Sequence, residues 1–151
     1  MRLRFADQPI ERVMRGHWIH TSPVASVLEA VRTMRLARIR DLPVLSDDRL
    51  VGVVSYRELT RALLGRLLAT IGDAERHDLL RSVPVADVMD PMPATAAPNE
   101  SIGTVARRMV EGRHPCLPIV VAARDDEPAR MIGLVLESDL LRLAYADAGG
   151  A

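Results

Sequence analysis

Ser55 and Glu58 stand three residues apart where a β-rich run, LVGVVS, gives way to a helical pattern, YRELTRALL. A hydroxyl at such a corner caps the helix or binds a ligand, and a carboxylate in the first helical turn suits the helix dipole. A second corner, GLVLESD, has Leu136 in the place of the serine and Asp139 as its carboxylate. Whether these groups stabilise helix starts or bind a ligand depends on the elements that position them.

The sequence patterns of common catalytic and metal sites are missing. There is no G-x-G-x-x-G, Walker or H-E-x-x-H motif. His17 and His20 lie at an expected strand entry, where side chains three apart point to opposite faces. His114 and Cys116 flank Pro115 at the start of a buried strand, which favours a structural thiol. The sequence therefore predicts no catalytic site, no metal site and no required cofactor.

Composition excludes further classes of protein. All 20 basic side chains are arginine and balance 20 acids, and only four residues are aromatic, so we expect no nucleic-acid partner. No apolar run has the length of a signal peptide or a membrane span. Cys116 is the single cysteine and has no partner for an intramolecular disulfide. These features predict a soluble, cytoplasmic protein with no membrane partner.

The chain contains an internal repeat. PIERVM at Pro9 recurs as PVADVM at Pro84, 75 residues later, and LP at position 42 recurs as LP at 117 with the same offset. After an insertion in the second half, Gly52 matches Gly133 at an offset of 81. Because pieces of about 75 residues are marginally stable alone, we expect the two halves to share a core.

Each half shows the same predicted order: strand, helix, strand, strand, helix. Ser26 and Glu29 predict a capping box at the first helix, and Ser101 caps its counterpart. LPVLSDDRLVGVV predicts a hairpin, and helical patterns follow over 56–71 and 137–148. The predicted division is repeat 1 at 9–72, a helical connector at 73–83, repeat 2 at 84–146, and tails at 1–8 and 147–151.

These segments resemble a tandem pair of CBS domains, also called a Bateman module. The likeness rests on VADVMDPMPATAAPNESIGTVARRM, PCLPIV and MIGLVLESDLL, and on their counterparts IERVM, IRDLPVL and LVGVVSYRELT. It implies an α/β fold of the α+β type, with two pseudo-symmetric β-α-β-β-α repeats packed through their sheets. It also implies clefts between the repeats for adenosine-containing ligands, and association into a homodimer.

The family's ligand motif has a glycine, two apolar residues, Ser or Thr, two variable residues, and Asp. In that motif the hydroxyl and the helix-start amides suit a phosphate, and the carboxylate accepts from ribose hydroxyls. The first corner keeps the hydroxyl as Ser55 but has Glu58, whereas the second keeps Asp139 but has Leu136. We therefore expect ribose at Asp139, with Ser138 as a substitute hydroxyl. The resemblance adds four further candidate ligand-binding residues: Leu117, Pro118, Arg57 and Arg40.

Two functions follow from this resemblance. The first is a stand-alone regulatory module that binds AMP, ADP, ATP, S-adenosylmethionine or NAD, senses cellular energy and regulates a separate effector protein. The alternative is a structural dimerisation module that has lost its ligand, which both incomplete motifs favour. An enzyme ranks below both because no catalytic constellation is visible.

Overall fold

The computed structural model describes residues 4–67 and 72–149. They form two compact units, one drawn from residues 19–93, here the N-unit, and one from residues 1–18 and 94–151, here the C-unit. The ends of the predicted second helix, at 68–71, and of the two tails, at 1–3 and 150–151, lie outside the described residues. Helices and antiparallel hairpins confirm the predicted mixed α+β class.

The N-unit holds one hairpin and three helices. Helix α1 spans Val27–Ala37, the hairpin strands β1 and β2 span Asp41–Ser46 and Arg49–Ser55, and helices α2 and α3 span Tyr56–Leu67 and Asp73–Ser82. One face of α1 packs on the hairpin because its apolar residues recur every three or four positions. The buried core of this unit includes Val27, Ala30, Met34, Leu42, Val54 and Leu59.

The C-unit repeats the order of helix, hairpin and helix, with a longer hairpin loop and with two helices in place of three in its described residues. Helix α4 spans Ile102–Gly112, strands β3 and β4 span Cys116–Val121 and Arg130–Leu136, and helix α5 spans Glu137–Ala148. In both hairpins the register shifts once, between Val44 and Leu45 and between Ile119 and Val120. The buried core includes Ile10, Ile102, Val105, Met109, Leu117 and Val135.

The helix ends follow the local sequence. The Ser26 Oγ accepts from the Glu29 N–H at 3.2 Å and the Glu29 carboxylate accepts from the Ser26 N–H at 2.7 Å, which completes the predicted capping box. Ser101 caps α4 in the same way, accepting from the Thr104 N–H at 3.2 Å. These caps fix where α1 and α4 begin.

The first strand predicted for each repeat is reduced to a single bridging residue. Thr21 bridges Val44 and Ala96 bridges Ile119, both in the parallel sense. Proline follows two residues after each bridge, at Pro23 and Pro98, and has no N–H with which to extend a ladder. His17 and His20 lie outside any strand, contrary to the expected strand entry.

The two repeated segments PIERVM and PVADVM belong to the units opposite to their order in the sequence. Ile10 is buried in the C-unit core, and Val85 is buried in the N-unit core. Their methionines lie against the strand glycines, Met14 at Gly133 and Met89 at Gly52. Each hairpin is thus bordered by a segment that comes from the other half of the sequence.

Candidate functional site

The first predicted corner lies in the N-unit, where β2 ends at Ser55 and α2 begins at Tyr56. The Ser55 Oγ accepts from the Glu58 N–H at 3.1 Å, and the Glu58 Oε2 accepts from the Ser55 N–H at 3.1 Å. This reciprocal pair is a capping box. The polar groups that the sequence singled out are therefore already hydrogen-bonded to the helix start.

Arg40 and Arg57 lie at the same corner. The Arg40 carbonyl accepts from the Tyr56 N–H at 2.7 Å, which ties the start of β1 to the start of α2. Arg57 is exposed in the first turn of α2. The structure thus brings together four of the predicted residues at one helix N-terminus: Ser55, Glu58, Arg57 and Arg40.

The second corner lies in the C-unit, where β4 ends at Leu136 and α5 begins at Glu137. The Leu136 N–H donates to the Asp139 Oδ2 at 3.1 Å, but leucine has no side-chain acceptor with which to return the bond. Ser138 lies between them and is exposed. This corner therefore has half a capping box, with the carboxylate supplied by Asp139.

Leu117 and Pro118 lie on β3, opposite Val135 and Leu134 of β4. Both are buried, and Leu117 has no exposed surface because it lies in the C-unit core. The Pro118 carbonyl accepts from the Ala96 N–H at 3.0 Å. These two predicted residues support the strand that leads to Asp139, and their side chains are used in packing.

Arg15 is the side chain that meets Asp139, and sequence reasoning missed it. The Arg15 Nε lies 2.9 Å from Oδ2 and 3.1 Å from Oδ1, and its terminal nitrogen lies 2.6 Å from Oδ1. The backbone of Arg15 is fixed beside β4, because its N–H donates to the Leu134 carbonyl at 2.8 Å and its carbonyl accepts from the Leu134 N–H at 3.1 Å. The signal was its place directly after Met14 in PIERVM, next to the strand that carries the corner.

This ion pair sets the charge state of Asp139. Burial raises the pKa of the carboxyl, but hydrogen bonds from Arg15 and from the Leu136 N–H, together with the charges of Arg15 and Arg142, outweigh burial and hold the pKa below its usual range. Asp139 is therefore ionised at neutral pH and acts only as an acceptor. Its side chain is 13% exposed, against 42% for Arg15.

The two corners differ in charge at the position of Arg15. The repeat offset of 75 places Asp90 there in the N-unit. Asp90 exchanges backbone hydrogen bonds with Val53 at 2.8 and 3.0 Å, as Arg15 does with Leu134, and its Oδ1 accepts from the Met92 N–H at 2.9 Å. At this position the N-unit therefore has a carboxylate where the C-unit has a guanidinium.

The N-unit also contains a groove. A cavity of about 480 Å³ in the N-unit is lined by side chains of α1 and α3 that include Arg32, His77 and Arg81, and by none of the predicted site residues. Within residues 4–67 and 72–149, no group of three or more His, Cys, Asp or Glu side chains has a metal-binding arrangement. In the same part of the chain, no helix combines the length and the apolar character needed to cross a bilayer.

Comparison with known families decides the assignment. The family model described as CBS domain matches residues 10–65 and 85–146. The chain belongs to the CBS domain family. Each matched segment contains one of the two corners, and the resemblance predicted from the sequence is confirmed. A comparison with curated proteins finds no match.

Solved structures show the same fold. Protein MJ1225 from Methanocaldococcus jannaschii superposes with a TM-score of 0.77 at 23% identity over 93% of this chain, which spans 48% of that protein. CBSX2 in complex with AMP gives a TM-score of 0.73 at 24% identity, covering 92% of this chain and 97% of CBSX2. The CBS domain pair of protein MJ0100, in complex with 5′-methylthioadenosine and S-adenosyl-L-methionine, gives 0.68 at 21% identity, covering 91% and 96%. At these identities the likeness concerns the fold.

Proposed function

We propose that this CBS pair is a non-enzymatic regulatory module that binds an adenosine-containing ligand at the C-unit corner. The observation that carries the proposal is the ionised Asp139 carboxylate at the start of α5, in the position of the family's aspartate. Two structural relatives, CBSX2 and the MJ0100 CBS pair, were crystallised with AMP, and with 5′-methylthioadenosine and S-adenosyl-L-methionine. They support adenosine compounds as the class of ligand.

A carboxylate at this corner suits the two adjacent hydroxyls of a ribose. Each oxygen of an ionised carboxylate can accept from one hydroxyl, and a hydrogen bond to a charged group contributes about 1.5–3 kcal/mol. Asp139 is short and held by the Leu136 N–H, so little side-chain freedom is lost when a ligand binds. These properties give the ribose a fixed position against the start of α5.

The C-unit corner is favoured over the N-unit corner because of the state of Glu58. The Glu58 carboxylate belongs to a closed capping box, so a ligand that takes its oxygens also weakens the start of α2. Glutamate has one more torsion to immobilise than aspartate. Ser55 belongs to the same capping box, so the hydroxyl and the carboxylate of this corner are both already hydrogen-bonded to the start of α2.

Regulation of a separate protein requires a surface through which a change in packing at the ligand site can affect that protein. In the C-unit, Val110 on α4 and Leu141 and Tyr145 on α5 are exposed apolar side chains. We propose that these two helices form a homodimer contact, and that an effector protein responds to the change in packing when ligand binds. The ligand candidates AMP, ADP and ATP make this a sensor of cellular energy.

A ligand panel tests the proposed function. Nucleotide-free protein is titrated with AMP, ADP, ATP, S-adenosylmethionine and NAD while its melting temperature is measured. A ligand that binds the folded state alone stabilises it by about 2.7 kcal/mol at 100 times its Kd, so a concentration-dependent rise for one compound is expected. A flat response to all five, in protein shown by mass spectrometry to carry no nucleotide, would reject the proposal.

The second candidate function is a structural dimerisation module that binds no ligand. The observation in its favour is that the polar groups of both corners have partners within the protein: Ser55 with Glu58, and Asp139 with Arg15. A flat ligand panel combined with a stable dimer in sedimentation experiments would establish this function in place of the first.

A further inference from the structure

Arg15 and the Leu136 N–H occupy most of the acceptor sites on Asp139. Oδ1 accepts from the Arg15 Nε at 3.1 Å and from its terminal nitrogen at 2.6 Å, while Oδ2 accepts from Nε at 2.9 Å and from the Leu136 N–H at 3.1 Å. A carboxylate has about four lone-pair sites, and three donor hydrogens are directed at them here, because the single Nε–H of Arg15 is shared between Oδ1 and Oδ2. A ribose diol needs two acceptor sites at once, so both of its hydroxyls can bind Asp139 only after the guanidinium has moved.

The position of Arg15 permits that movement without unfolding. The two backbone hydrogen bonds with Leu134 fix its Cα beside β4, whereas its side chain is 42% exposed, so solvent is at hand for a guanidinium that leaves Asp139. A displaced guanidinium stays near the corner because its backbone does not move. There it needs a new acceptor, and its planar fork of N–H donors matches the oxygens of a phosphate.

We propose that Arg15 makes the C-unit corner selective for adenosine compounds that carry a phosphate. This inference rests on the proposed function. An anionic ligand exchanges with Asp139: the ribose takes the carboxylate and the phosphate takes the guanidinium. A neutral nucleoside binds Asp139 but offers no anionic group to Arg15, whose guanidinium is then solvated by water alone. A cationic compound also offers none, and its positive charge and that of Arg15 repel each other.

The N-unit corner supports the assignment to Arg15 by contrast. Asp90 occupies the equivalent position with the same backbone pairing to its strand, so the two corners share geometry and differ in charge. A carboxylate at that position repels a phosphate. The preference for phosphorylated ligands is therefore a property of the C-unit that depends on one side chain.

The test compares AMP with adenosine by isothermal titration calorimetry, in wild-type protein and in the Arg15→Gln and Arg15→Lys variants. Wild type is expected to bind AMP more than about ten-fold more tightly than adenosine, the equivalent of about 1.4 kcal/mol. In Arg15→Gln the ratio falls toward one, because adenosine binds more tightly and AMP more weakly. Arg15→Lys keeps the charge without the fork and gives an intermediate ratio. Arg12→Gln, an exposed arginine on the same segment, is the matched control and leaves the ratio unchanged.

The outcomes separate the two proposals. An AMP-to-adenosine ratio that is the same in Arg15→Gln, Arg15→Lys and wild type overturns the role of Arg15 and leaves the adenosine site standing. A loss of the ratio in Arg12→Gln equal to that in Arg15→Gln also overturns it, because a general charge effect would then explain the selectivity. No binding of AMP to wild-type protein overturns the inference, and the proposed function falls with it only if the other four compounds of the ligand panel also fail to bind.

Discussion

Gly52 is predicted to tolerate alanine less well than Gly133, its counterpart in the repeat. None of the described glycines has a positive φ, so an added methyl group acts through contacts and not through backbone strain. At Gly52 the new Cβ would lie 2.6 Å from the Met89 Sδ and 2.7 Å from the Asp90 backbone oxygen. At Gly133 the nearest atoms all belong to the Met14 side chain.

The difference lies in what can move. Methionine has three flexible torsions and can move aside, but the Asp90 carbonyl is held by its hydrogen bond from the Val53 N–H at 3.0 Å. Overpacking of this kind lowers the free energy of unfolding by about 1–3 kcal/mol. Changing glycine to alanine also reduces the entropy of the unfolded state, which raises the free energy of unfolding by about 0.4–1 kcal/mol. We expect Gly52→Ala to destabilise the protein by about 1–2 kcal/mol, and Gly133→Ala by less than about 1 kcal/mol.

Urea unfolding followed by circular dichroism measures both variants at equal protein concentration. The expected result is a lower midpoint for Gly52→Ala than for Gly133→Ala, with the slope unchanged. A wild-type midpoint for Gly52→Ala, or a larger loss for Gly133→Ala, would refute the argument that the Asp90 backbone limits the space at this strand.

Two further predictions concern the corners. Ser55→Ala removes the acceptor for the Glu58 N–H and should lower the free energy of unfolding, measured in urea, by about 1 kcal/mol. Ser138→Ala, at an exposed position, should lower it by less than about 0.5 kcal/mol. Equal losses in the two variants would contradict the capping role of Ser55. The lowered pKa of Asp139 predicts that its ion pair stabilises the folded state above pH about 4, the range of an unfolded aspartate, and that this stabilisation is lost as the pH falls further through the folded pKa. The stability difference between wild type and Asp139→Asn should therefore shrink from pH 6 to pH 3, and a constant difference would argue against the pair.

Local features of the fold could be predicted from the sequence. The capping box at Ser26 and the hairpin between Leu42 and Val54 depend on residues close in the chain, where propensity and periodicity carry the information. The predicted first strands failed because Pro23 and Pro98 stop the ladders after one bridge. Each proline lacks an N–H two residues after its bridge, so neither ladder continues toward the helix that follows.

The sequence could not predict which hairpin PIERVM borders and which PVADVM borders. The two segments have similar residues, and so do the strands that they border, so neither sequence pattern distinguishes one hairpin from the other. For the same reason the pairing of Arg15 with Asp139, which are 124 residues apart, depends on tertiary structure. The sequence predicted that Glu58 and Asp139 lie at helix starts. The structure adds that Glu58 shares a capping box with Ser55, whereas Asp139 is paired with Arg15.

The most direct test of the central claim is calorimetric titration of AMP into wild-type, Asp139→Ala and Glu58→Ala proteins, with melting curves to verify that each is folded. If the C-unit corner binds the ribose, Asp139→Ala weakens AMP by about 10- to 100-fold, the effect of losing about 1.4–2.8 kcal/mol, and Glu58→Ala changes the affinity by less than about three-fold. Unchanged affinity in Asp139→Ala, with binding lost in Glu58→Ala, would contradict the account and place the ligand in the N-unit.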